Sequence, residues 1–176
     1  MTRTTSASRA TIILLFLLGG CATSNITVRE RIPAGSPIAV VTLRDCVIAD
    51  QDDCSGSGLT ATSIFASALS EDGFLANPVS RPAGAKDQLT DGAAVLYARS
   101  KGVPYVLNGE VEDFYRVAPM TFRPERAAAS VRLLRSSDGS VVASSQYRDR
   151  VNNLSSPDAI IEAMAKKFSA SIAEGK

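Results

Sequence analysis

Residues 125–151 read ERAAASVRLLRSSDGSVVASSQYRDRV. Ala127, Ala129, Val131 and Leu133 alternate with Ala128, Ser130, Arg132 and Leu134. A period of two sends successive side chains to opposite faces of a sheet, so residues 125–136 read as a strand. Asp138-Gly139 is the pair that a tight hairpin turn needs, because glycine accepts a positive φ without steric cost. Residues 141–151 then return as the next strand. The second half of the fold is therefore expected to be a meander of neighbouring antiparallel strands.

The flanking segments extend this pattern. Residues 105–115 are long and half polar, which suits a strand with one face towards solvent. Before them, Leu89, Ala93, Leu96 and Tyr97 recur at helical spacing within residues 87–101, with Gly102 beyond the last turn and Pro104 as a stop. Residues 74–79 read as a short strand. Residues 59–72 read as a helix with Ile64, Phe65, Ala68 and Leu69 on one face, Thr60 as N-cap and Gly73 as the C-terminal stop. Residues 38–43 are a continuous apolar run rich in β-branched side chains, the signature of a buried strand. At the other end, Ser156-Pro157-Asp158 opens a helix with a capping hydroxyl, a proline at N1 and an acid in the first turn. Ile161, Met164, Ala165, Phe168 and Ile172 form its apolar stripe. The order is β-α-β-α-β-β-β-α. The expected fold class is α/β (α+β), a mixed five-stranded sheet with helices packed on it.

The N-terminus is different in kind. Arg3 and Arg9 precede an apolar run from Ala10 to Leu18, then Gly19, Gly20 and Cys21. A permanent membrane-spanning helix needs about 20 apolar residues, and this run is shorter. A basic start, a short apolar stretch and a small-residue exit make a signal peptide. The cysteine directly after Leu18-Gly19-Gly20 resembles the lipobox of bacterial lipoproteins. That resemblance implies cleavage before Cys21 and acylation of its thiol. Several acyl chains on one residue would anchor stably, each buried methylene contributing about 0.8 kcal/mol. The organisation read from the sequence is a signal peptide over 1–20, a lipidated tether over 21–36 and one globular domain over 37–176. The tether contains Pro33, Gly35 and Pro37, with Ile26-Thr27-Val28 as a candidate short strand. The 16 residues from Ala22 to Pro37 would reach about 55 Å if fully extended. By the same resemblance, Ala22 rather than an aspartate after the cysteine points to the periplasmic face of the outer membrane.

Composition narrows the function. Cleavage before Cys21 removes two arginines and leaves 17 basic residues against 18 acidic ones. A nucleic-acid binder would show a basic excess. The chain has no histidine, which removes Ser-His-Asp and Cys-His catalysis and histidine metal sites. With Cys21 assigned to lipid, Cys46 and Cys54 remain. An even pair in an oxidising compartment favours a disulfide, with two free thiols as the alternative.

The domain also resembles known envelope modules. Gly102-Val103-Pro104-Tyr105 leads into the apolar-to-acidic strand Tyr105-Val106-Leu107-Asn108-Gly109-Glu110-Val111. Together with the strand order behind a lipobox, this is similar to the N-terminal domain of TolB and to CsgG-like domains. Arg123-Pro124-Glu125-Arg126, the Ser137-Asp138-Gly139 hairpin and Val141-Val142-Ala143-Ser144 resemble an uncharacterised family of proteobacterial envelope lipoproteins with a domain of unknown function. The resemblance spans roughly residues 37–173. It implies an envelope adaptor; the chain is too short for the membrane-spanning hairpins of a CsgG-type pore.

Four features carry candidate chemistry. Arg116, Met120, Phe122, Arg123 and Arg126 frame a connection between two strands and form a candidate partner-binding loop, since arginine and aromatic anchors dominate interface energetics. The alternative is that Met120 and Phe122 fold back as a minor core. Glu110, Glu112 and Asp113 could do acid–base work, or could pair with Arg132, Arg148 and Arg150 across strands. Asp50, Asp52 and Asp53 lack the ligand spacing of a calcium loop. Gly56-Ser57-Gly58 before a helix could cradle an anion, but without the lysine of a nucleotide-binding loop. No catalytic, metal or cofactor site is expected. The leading expectation is a membrane-anchored periplasmic lipoprotein acting as a non-enzymatic adaptor or assembly factor, with the bilayer and an envelope protein as partners. The alternatives are a hydrolase using carboxylates of residues 105–115, or a lipoprotein that binds a small ligand or lipid.

Overall fold

A computed structural model describes residues 23–116, 125–149 and 155–176. The described residues form six strands and three helices. They are β1 (Thr23–Val28), β2 (Pro37–Val41), α1 (Ser57–Glu71), β3 (Leu75–Val79), α2 (Asp91–Ser100), β4 (Tyr105–Tyr115), β5 (Arg126–Arg135), β6 (Val141–Asp149) and α3 (Pro157–Glu174). A single 3-10 turn spans Asp52–Cys54. The strands form one mixed sheet in the order β1-β6-β5-β4-β2-β3. β2 runs parallel to β3 and β4, whereas β4, β5, β6 and β1 pair antiparallel.

The sheet has six strands rather than the expected five. The addition is β1, which lies inside the stretch read as a tether. It pairs with β6 from Thr23 opposite Arg148 to Val28 opposite Ala143. Ile26 and Val28 pack against the core, and Ile32 just beyond is buried. Residues 23–32 therefore belong to the fold. The candidate strand Ile26-Thr27-Val28 is the second half of β1, and the physical reason that it joins the sheet is distal: β6 offers an edge whose backbone groups need partners.

The two faces of the sheet are covered unequally. On one face, α1 and α3 pack over the strands around Phe65, Leu107, Phe114, Leu133, Met164 and Phe168, all buried. Phe65 and Phe168 meet edge to face with ring centroids 6.1 Å apart, a geometry that favours aromatic pairs. On the other face, α2 lays Ala94, Val95 and Ala98 over Ala39, Val41, Val106 and Leu134. The rest of that face carries Asn25, Thr27, Ser130, Arg132, Ser144, Gln146 and Arg148, polar groups at alternate positions of β1, β5 and β6 that are exposed or half-buried.

Two helix starts differ from the sequence reading, α1 through a distant cap and α2 through a local one. α1 begins at Ser57, not near Thr60, and its N-cap is Gly56 at φ +80°. The Asp45 carboxylate accepts from the Gly56 and Gly58 amides at 3.0 and 2.7 Å, supplying the cap that Gly56 lacks. α2 starts at Asp91, with the Thr90 hydroxyl accepting from the Ala93 amide at 3.2 Å. α3 starts as its sequence indicates, with Ser156 accepting from the Ala159 amide and Pro157 in the first turn.

Candidate functional site

One end of the sheet gathers most of the candidate residues. Strand pairing places the start of β1, the end of β6, the start of β5 and the end of β4 together, and β2 points towards the same end. The loop after β2 and the start of α1 complete this end. Cys46 and Cys54 form a disulfide there, with Cα atoms 4.9 Å apart. The loop it closes is pinned to β4, because the Gln51 side-chain amide donates to the Phe114 carbonyl at 2.6 Å. Both cysteine side chains are buried, while Val47 and Ile48 project outward.

The three carboxylates of β4 are each committed to an arginine. Glu110 pairs with Arg44, Glu112 with Arg148 at 3.0 Å and Asp113 with Arg126 at 3.1 Å. Arg132 turns away from them to Asp91 at 3.0 Å, and Arg150 lies outside the described residues. The carboxylates are spread along the strand, each neutralised by its own partner on the sheet surface. This is the arrangement of a solvated ion-pair face.

The candidate partner-binding loop is only partly in view. Met120, Phe122 and Arg123 lie outside the described residues. Arg116 and Arg126, which frame it, are engaged within the chain. Arg116 donates to the Asp158 carboxylate at 2.8 Å, its amide donates to Asp53 at 2.9 Å, and its guanidinium lies 5.2 Å from the centre of the Phe114 ring. Arg126 sits 5.1 Å from the centre of the Tyr115 ring while pairing with Asp113. These contacts give both arginines a structural task at the root of the loop. Cys21 also lies outside the described residues.

Gly56-Ser57-Gly58 cradles an anion that belongs to the chain itself. The Asp45 carboxylate occupies the amides that an external anion would need. Asp45 was not recognisable as a cap from sequence, since it lies more than ten residues before the helix it serves. A second cluster without a sequence signal is the arginine pair Arg44 and Arg81. Arg81 donates to the carbonyls of Thr42 at 3.1 Å and Asp87 at 2.6 Å. Burial, and then the neighbouring Arg44 charge, lower its pKa from the ordinary arginine value. Together they tie the segment after β3 to the sheet. A cleft of about 370 Å³ lies at the opposite end of the molecule, lined by Arg31, Ile32, Pro33, Asp72 and Phe74, and it is open at the surface.

No protein-family model matches the chain, and no curated protein matches it. Among solved structures it is similar to the PelC dodecamer from Paraburkholderia phytofirmans, with a TM-score of 0.66 and 23% identity over 87% of this chain and 98% of that one. A single-substitution variant of the same protein gives a TM-score of 0.65 and 22% identity, covering 87% and 99% of the two chains. Lipoprotein GNA1162 from Neisseria meningitidis aligns with a TM-score of 0.46 and 17% identity, covering 79% and 99%. The likeness to PelC shows a shared fold over most of the chain.

Proposed function

We propose that this chain is a lipid-anchored lipoprotein of the bacterial envelope, held by Cys21, whose domain is a non-enzymatic adaptor that works by assembling with further copies of itself and with an envelope protein. The observation that carries the assembly reading is the fold shared with PelC, which was solved as a dodecamer. Two features of the chain agree with it. Among the described residues the outer edge of β1 pairs with no other strand, so its outward-facing backbone groups can meet a neighbour. The β4 carboxylates, the best candidates for acid–base chemistry, are spent on arginines. The anchor reading rests on the lipobox, and the outer-membrane address on Ala22.

The assembly reading is tested by native mass spectrometry and light scattering of the acylated protein in detergent. A discrete oligomer supports it, and a monomer across the accessible concentration range overturns it. The anchor is tested separately. Labelled palmitate should enter the wild-type protein, fail to enter a Cys21→Ser protein, and fractionate with the outer membrane. Partner capture by crosslinking in intact envelopes tests the adaptor role.

A further inference from the structure

We propose that the end of the sheet where β1 begins lies directly on the bilayer, with Val47, Ile48 and Leu59 seated in the interface of net-neutral phospholipid. This rests on the reading of Cys21 as the lipid-bearing residue. The argument is one of chain length. β1 starts at Thr23, so only Ala22 separates the sheet from the acylated residue. Two residue steps reach at most about 7 Å. The domain cannot stand off from the membrane as a long tether would allow.

The strand directions then decide which side chains meet lipid. β2, four strands across, ends level with the middle of β4, and the loop after it continues to the level where β1 starts, with Arg44 beside Glu110 and Gln51 donating to the Phe114 carbonyl. At a strand spacing of about 4.8 Å, that loop lies roughly 19 Å to the side of β1, towards the same end of the sheet. This loop and the first turn of α1 expose three large apolar side chains: Val47 at 64%, Leu59 at 61% and Ile48 at 38%. The other exposed large apolar residues among those described are elsewhere. Leu75 opens β3 at the far end, and Leu96 lies on α2. The tip is held in shape before it meets lipid. The Cys46–Cys54 bond closes it, Asp45 clamps it to α1 and Gln51 ties it to β4. A pre-shaped apolar tip loses less conformational entropy on insertion than a free loop. Asp50 and Asp52 are exposed beside it, and they disfavour an anionic surface, which selects neutral headgroups.

The chain contains no tryptophan, so a single introduced tryptophan reports alone. The experiment places acylated Val47→Trp, Ile48→Trp, Leu59→Trp, Leu75→Trp and Leu96→Trp proteins in vesicles of brominated phosphatidylcholine. Side chains at the boundary between headgroups and acyl chains sit about 5–10 Å deep. The first three are expected to be quenched at least about twofold more than the last two. Substituting three independent sites guards against one that perturbs the loop. Stronger quenching at Leu75→Trp or Leu96→Trp would overturn the orientation, as would a blue-shifted but unquenched tip, which would mean a protein surface covers it. Half phosphatidylglycerol should leave the tip quenching equal or lower; an increase would overturn the choice of neutral lipid. Intact mass separates the two levels. Absence of acyl chains on Cys21 refutes the anchor reading itself, whereas an acylated protein with an unquenched tip refutes only this orientation.

Discussion

One terminal nitrogen of Arg116 lies 3.1 and 2.8 Å from the two oxygens of the Asp158 carboxylate, joining the end of β4 to the first turn of α3. The pair lies at the end of the sheet where β4 finishes, where a strand, a helix and the 3-10 turn converge. Both side chains are substantially exposed, so solvent screens the attraction. A double-mutant cycle with Arg116→Gln and Asp158→Asn is expected to give a coupling below about 1 kcal/mol in urea titrations. Asp158→Asn alone should also lose the favourable interaction with the α3 dipole, worth about 0.3–1 kcal/mol. A coupling well above this range would mean that the pair is far better shielded than its exposure indicates.

The disulfide should matter more. Cys46 and Cys54 are eight residues apart, and the loop-entropy relation gives about 2.5 kcal/mol for closing a loop of that size. Replacing both cysteines by serine, or adding reductant, is expected to lower the urea midpoint correspondingly. An unchanged midpoint would show that Gln51 and Asp45 hold the loop without help from the bond.

Elements whose determinants are local were legible in the sequence. The hairpin at Asp138-Gly139, the stripe of α3 and its Ser156-Pro157 start each depend on residues within a turn of one another. Counting favoured the pairing of Cys46 with Cys54 over two free thiols, and the structure has the bond. β1 was legible only in part: Ile26-Thr27-Val28 was a candidate short strand within the expected tether, but its place in the sheet comes from pairing with β6, more than a hundred residues away. The start of α1 was misplaced for the same kind of reason: Thr60 looks like a cap, but Asp45 is the cap, delivered by the turn after β2. The candidate site was legible as a list of residues and not as a place. Nothing in the spacing of Asp113, Arg126 and Arg148 shows that they share one end of a sheet; only the strand pairing does.

Asp138 gives a pH signature. The Ser140 amide donates to its carboxylate at 2.9 Å and the Ser140 hydroxyl at 2.7 Å. These bonds, aided by Arg135, lower its pKa from 3.8 to about 2. A carboxylate with a depressed folded-state value favours folding above its unfolded value, and that contribution fades as pH falls from about 4 towards 2. Asp138→Asn is expected to flatten this part of the stability curve. A carboxyl carbon titration by NMR should place the Asp138 midpoint near 2. A midpoint at the ordinary 3.8 would remove the effect.

Asp45 offers the sharpest test of how the loop after β2 is joined to α1. Its carboxylate is buried and accepts from two amides at the start of α1, while its own amide donates to the Ala85 carbonyl at 2.9 Å. Asp45→Ala strands two amide donors at a helix N-terminus, and hydrogen bonds to a charged acceptor are worth about 1.5–3 kcal/mol. Asp45→Asn keeps one acceptor and should lose less, so stability is expected to fall in the order wild type, Asn, Ala. Gly58→Ala attacks the same joint from the other side, because a methyl group there would collide with the Leu43 carbonyl and with Asp45 itself. It should cost about 1–3 kcal/mol by overpacking. Hydrogen exchange at the Gly56 and Gly58 amides reads the mechanism directly. In Asp45→Ala these two amides should exchange faster than the rest of α1. Protection equal to wild type would mean that another group caps the helix.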